Sequence, residues 1–108
     1  MNGGNSSQGK SLPDEENLYV MKLYVAGRAP NSTQALANLN KICEEYLPGH
    51  HQVDVVDILE DPLQAVGDGV LVTPTLVKLS PPPKVKIIGN LSEISKVIRT
   101  LGLDGGSA

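Results

Sequence analysis

The sequence predicts an α/β domain: a four-stranded mixed sheet with helices on both faces. Three observations predict it. The run LYVMKLYVAG at positions 18–27 is almost continuously apolar and broken only by Lys22, as expected of a central strand covered on both sides. A helical stretch and a second β-rich run, HQVDVVDIL at 51–59, follow it. Strand, helix and strand within roughly forty residues make a βαβ unit, with parallel strands and a right-handed crossover. Two short runs, 76–79 and 85–88, are separated by a proline-rich joint too short for a crossover, so they pair antiparallel.

Each element has a local reason. Positions 1–17, MNGGNSSQGKSLPDEEN, offer almost nothing to bury and read as a disordered tail, as do positions 105–108. The folded domain is expected to span 18–104. In the first helix, Asn31 and Gln34 have capping-box spacing, with Pro30 just outside. Leu36, Leu39, Cys43, Tyr46 and Leu47 then fall on one side, and Pro48-Gly49 ends the helix. Asp61-Pro62 can start a short helix that Gly67 and Gly69 stop. Asn90 and Glu93 repeat the capping-box pattern before Ile94, Val97, Ile98 and Leu101, which recur at helical spacing. Gly102 is the expected C-cap.

The resulting order, β-α-β-(α)-β-β-α, is the minimal thioredoxin-like arrangement. Domains of that kind place a proline, typically cis, before the strand that follows the second helix. VTPTL fits that element, with Pro74 in the special position and a cis bond expected there.

Composition excludes several functions. The net charge of −3 argues against nucleic acid as a partner. No apolar run approaches the ~20 residues needed to span a bilayer, and no signal-peptide pattern is seen, so a cytoplasmic location is the default expectation. With no Trp, no Phe and three Tyr, the core must be aliphatic. A thioredoxin-type enzyme needs a low-pKa cysteine where the first strand meets its helix. That joint reads AGRAPNS, and the one cysteine, Cys43, lies on the apolar side of the helix as a small hydrophobe. No cofactor is expected. His50 and His51 are adjacent at a loop-to-strand joint and point apart, which makes a poor metal site. Asp54 and Asp57 are three apart on a strand and form no acid/base pair; they mark an exposed edge. Gly67–Gly69 lacks the Gly-Lys-Ser/Thr ending of a phosphate loop. Lys78, Lys84 and Lys86 read as a small basic cluster, either a solvated face or a partner contact.

Together, KLYVAGRAPNSTQALANL, VDILEDP, TPTLVK, PPP, IIGNLS and GLD, in that order and spacing, resemble the KaiB family. The resemblance covers 18–104. It implies a non-catalytic clock or hourglass regulator that binds KaiC, a hexameric self-phosphorylating ATPase, and favours its dephosphorylation phase. It also implies KaiA as a further partner, competition with a KaiB-like sensor kinase, and a homotetrameric or dimeric resting form in which the segment from Asp61 onward is packed differently. On that basis Lys78, Lys84, Lys86, Gln52 and Asp54 are candidate partner-binding residues, the last two on the edge that the KaiA contact uses. Pro74, Pro81, Pro82, Pro83, Gly102 and Asp104 are candidate fold-switch positions. Two packings coexist only when they differ by a few kcal/mol, and prolines at the joints fit because the cis form of X-Pro lies within ~1 kcal/mol. A stiff turn that blocks edge pairing is the plainer account of the three prolines. The alternative function is a redox-inactive thioredoxin-like adaptor or kinase sensor module with another partner. The sequence departs from the family pattern at Asp54 and Gln34, where a basic residue is usual, at Asn90 in place of Asp, and in its ends.

Overall fold

The structure, a computed structural model, describes residues 18–104; the expected tail at 1–17 and the end at 105–108 lie outside the described residues. The elements are β1 (Tyr19–Val25), α1 (Pro30–Tyr46), β2 (His51–Asp57), α2 (Pro62–Gly67), β3 (Thr75–Ser80), β4 (Val85–Ile88) and α3 (Ile94–Leu101). The sheet order is β2-β1-β3-β4. β1 is central, parallel to β2 with Leu23 opposite Val55, and antiparallel to β3 with Leu23 opposite Leu76. β3 and β4 are antiparallel, with Val77 opposite Lys86. The expected order and strand directions are all present.

The apolar run of β1 is explained by its two faces. Met21, Leu23 and Val25 join Ala35, Leu39, Ile42 and Cys43 of α1, Leu76 of β3, and Val97 and Leu101 of α3 in the larger core. Tyr24 points the other way, into a smaller cluster with Val56, Ala65 of α2 and Val77. Alternation along a strand makes both faces of one run apolar when helices cover both. Tyr46 is a correction: on the last turn of α1 it is 40% exposed, and Ile42 fills the helix face instead.

Neither capping box forms. α1 begins at Pro30 with Ala29 as N-cap and no side-chain cap. Proline suits the first helical position because it lacks the N–H that would go unpaired there, so Asn31 is already inside the helix. Asn31 and Gln34 turn instead toward Asn90, whose Nδ2 donates to Gln34 Oε1 at 3.2 Å and lies 3.5 Å from Asn31 Oδ1. The Asn90 carbonyl accepts from Asn38 Nδ2 at 2.9 Å. At α3 the N-cap is Glu93, again without a side-chain bond. Leu91, buried with φ of 65°, reverses the chain between Asn90 and Glu93, and Asn90 Oδ1 accepts from the Ser92 N–H in an Asx turn. Gly102 does end α3 in the left-handed conformation, φ 76°, with the Leu103 N–H donating to the Ile98 carbonyl as in a Schellman motif. The Thr73–Pro74 bond is cis as expected, and Ser80–Pro81 and Pro82–Pro83 are cis as well.

A polar tie crosses the smaller core. Tyr24 is fully buried, and its hydroxyl donates to Asp68 Oδ2, just past the end of α2. Lys22 Nζ lies 3.4 Å from the same oxygen, and Lys84 Nζ lies 3.8 Å from Asp68 Oδ1. The Tyr24 hydrogen bond, followed by Lys22, holds the Asp68 carboxyl below its ordinary range against the opposing effect of burial. Burial, reinforced by Asp68, holds the Tyr24 phenol well above its own. A depressed carboxyl pKa stabilises the fold above the unfolded-state value of about 4 and ceases to do so as pH falls through the folded-state value. Asp68→Asn is therefore expected to cost about 1–3 kcal/mol at neutral pH. The variant is also expected to lose part of the wild type's destabilisation in acid. Denaturant unfolding at pH 7 and below pH 4 reads both effects; parallel pH profiles for the two proteins would contradict the assignment.

Candidate interaction surface

The joint between β1 and α1 is built from backbone and small side chains. Gly27, with φ of 55°, donates its N–H to Asp57 Oδ1 at 3.0 Å, and the same oxygen accepts the Leu59 N–H at 2.9 Å. The Ala26 N–H donates to Ser32 Oγ at 3.2 Å, and Ser32 is buried. Asp57 is thus a clamp holding the ends of β1 and β2 together. Its spacing from Leu59, an acceptor two residues before the amide it binds, is a common local pattern that the sequence reading passed over. No thiol stands at this joint. Cys43 sits 1% exposed in the larger core, and burial pushes its thiol up to about 11. It stays protonated at neutral pH, and a thiol is a poor nucleophile. Among the described residues no group of three His, Cys, Asp or Glu side chains is placed to hold a metal ion. His51 Nδ1 is 2.7 Å from the Leu47 carbonyl.

The three lysines do not form one cluster. Lys86 faces Val77 across the strands and Lys78 faces Val85, and neighbouring positions on a strand point to opposite faces. Lys78 lies on the side of the larger core, 4% exposed, with Nζ 5.5 Å from the centre of the Tyr19 ring. Burial lowers its pKa. Lys84 and Lys86 lie on the α2 side, where Lys84 approaches Asp68 and Lys86 Nζ donates to the Gly69 carbonyl at 3.2 Å. Sequence proximity brought the three together; strand alternation separates them. Gln52 and Asp54 are exposed on β2, which has a strand on one side only, so the edge reading is supported. Pro74 directly precedes β3, and Pro81–Pro83 fill the β3–β4 turn. Asp104 is exposed after the Gly102 cap.

A groove that no sequence motif marks also lies on the α2 side. Val70, Leu71 and Val72 form one wall, and Thr75, Lys86 and Ile88 form the other, around a space of about 220 Å³. Leu71 is 93% exposed and Ile88 71%. Gly69 suits its place because its φ is +70°, a conformation that other residues adopt only with strain. The signal in the sequence was the short apolar run VLV between a glycine turn and Thr73-Pro74, too short for a strand and without a helical partner.

Comparison with known proteins places this architecture. A KaiB domain family model matches residues 22–103. The chain is 51% identical over 86 residues to the circadian clock oscillator protein KaiB of Cyanothece sp., covering 80% of each chain. It is 44% identical over 88 residues to the circadian clock protein KaiB3 of Synechocystis sp., covering 82% of this chain and 84% of that one. Among solved structures, the N-terminal domain of Synechococcus elongatus SasA superposes with a TM-score of 0.68 at 19% identity, over 85% of this chain and 88% of that one. Mitochondrial thioredoxin 3 of Saccharomyces cerevisiae superposes with a TM-score of 0.62 at 21% identity, over 81% and 82%. The likeness to these two shows the fold. The sequence match across nearly all of the described residues shows the family: the chain belongs to the KaiB family, in a thioredoxin-like arrangement.

Proposed function

We propose that the chain is a non-catalytic regulator of a circadian clock or hourglass, acting by binding the KaiC ATPase ring and favouring its dephosphorylation phase. The observation that carries this reading is the 51% identity to a clock oscillator KaiB over 80% of both chains. The β1–α1 joint supports it: the position that gives thioredoxins their chemistry holds Asp57-clamped backbone here, and the single thiol is buried in the core. What the surface offers is contact. The open β2 edge, with Gln52 and Asp54, fits a further partner such as KaiA by strand addition. A KaiB-like sensor kinase would compete for the ring.

The reading includes a second, resting packing of the segment from Asp61 onward, in a dimer or tetramer, with Pro74, Pro81–Pro83, Gly102 and Asp104 as its levers. Gly102 is the lever with a defined physical cost. Its left-handed backbone is cheap only for glycine, so Gly102→Ala penalises the thioredoxin-like packing by about 1 kcal/mol and spares any packing without a positive φ there. If both packings are populated, their ratio moves about fivefold. Paired amide NMR spectra and sizing of wild type and Gly102→Ala read that change. One identical fold and one identical size in both would remove the second packing from the proposal.

The central test mixes the full chain with KaiC hexamer. Co-elution of a larger complex and faster loss of phosphorylated KaiC are expected. Failure of both would overturn the reading in favour of an adaptor with another partner. Wild type is expected to show no disulfide reductase activity, and Cys43→Ala is expected to bind the ring as wild type does, at a packing cost of about 1 kcal/mol. Loss of binding in a folded Cys43→Ala protein would count against a purely structural Cys43.

A further inference from the structure

The groove beside β4 combines three properties that a merely solvated surface does not need. Its exposed side chains are aliphatic: Leu71, Val72 and Ile88 converge on it, with Val70 behind them. Contiguous exposed apolar surface rimmed by polar groups marks contact sites. Its shape is held in place. Gly69, at the start of the wall, is bonded through its carbonyl to Lys86 Nζ, and Asp68 before it is tied to Tyr24, Lys22 and Lys84. The wall is therefore pinned to the sheet at two consecutive residues, and little ordering is left to be done on binding.

The third property is charge. Lys22, Lys84 and Lys86 all lie on this side of the sheet, where Asp54 stands opposite Lys22 and Asp61 opens α2, while Asp68 is already engaged by the Tyr24 hydroxyl and two of those lysines. Lys86 is bonded to a neutral carbonyl and has no carboxylate within ion-pair distance among the described residues. It lines the groove. A partner that buries Leu71 and Ile88 must also satisfy Lys86 in drier surroundings, which only an acid does well.

We propose that this groove takes a protruding leucine- or isoleucine-sized side chain flanked by an aspartate or glutamate, presented by the protein partner. Taken with the KaiC-binding reading, on which this inference rests, the acidic, apolar element belongs to the ring. The groove, rather than a three-lysine patch, is then the anchor of the contact. Lys78 lies on the opposite face and takes no part in it.

The experiment uses the full chain and KaiC hexamer, with binding followed kinetically at several salt concentrations. Leu71→Ser and Ile88→Ser are so exposed that the fold is expected to be unchanged, which amide spectra check. Each is expected to weaken binding about tenfold, chiefly through faster dissociation. Lys86→Gln is expected to slow association and flatten its salt dependence. Leu63→Ser, on the exposed side of α2, is the control and is expected to bind as wild type does. Folded Leu71→Ser and Lys86→Gln proteins that bind as tightly as wild type, with the same salt dependence, would overturn the groove while leaving the KaiC reading intact. A wild-type chain that does not bind the ring would overturn both. Self-association of the wild type that Leu71→Ser abolishes would assign the groove to a second copy of the chain and overturn the acidic partner.

Discussion

Tyr24 sets the constraint on which the α2 side of the molecule depends. Its ring is fully buried under that helix, so its hydroxyl must find a partner there, since an unpaired hydroxyl in an apolar core costs several kcal/mol. Its partners are Asp68 and, at 3.2 Å, the Gln64 carbonyl in the last turn of α2. Satisfying one oxygen therefore fixes the residue that follows α2. That in turn fixes where Gly69 begins the next segment and which lysines gather around it. The small cluster of Val56, Ala65 and Val77 supplies little apolar area compared with the core on the other face. On this side a charged tie does part of the work that aliphatic packing does on the other.

Much of the fold was legible because the signals were periodic or carried by glycine and proline. The unbroken apolar run of β1, the helical spacing of Ile94, Val97, Ile98 and Leu101, and the left-handed Gly102 each had one plausible structural meaning. The capping boxes were misread for a shared reason. The spacing of two polar residues is a weak signal, and a stronger local constraint overrode it: Pro30 at the first helical position, and the reversal at Leu91 before α3. The functional surface was less legible. Residues 78, 84 and 86 look adjacent in the chain, but a turn and strand alternation put Lys78 on the other face. The groove was hidden because Lys86 and Ile88 of β4, which close it, lie more than ten residues beyond the run Val70 to Val72. Asp68, within a motif judged only for what it lacked, proved to be an organising residue of that side.

The comparison with thioredoxins separates scaffold from chemistry. The fold likeness to yeast thioredoxin 3 extends over four-fifths of both chains. In this chain the joint between the first strand and its helix holds no thiol; there Gly27 and Asp57 hold two strand ends together. On the proposed reading, function is carried by surface that the same scaffold presents elsewhere, since activity resides in sites placed on folds and not in the folds themselves.

The amide group of Asn90 has a consequence of its own. Gln34 and Asn90 meet at 3.2 Å, and Asn38 and Asn31 complete the set. The seam between α1 and the loop leading to α3 is stitched by neutral amides. Ionic strength has little hold on such a seam, and it carries no group that titrates near neutrality. Parting α1 from that loop therefore carries a cost of its own that hardly varies with salt or with mild changes of pH. A seam closed by a carboxylate and a cation would report both.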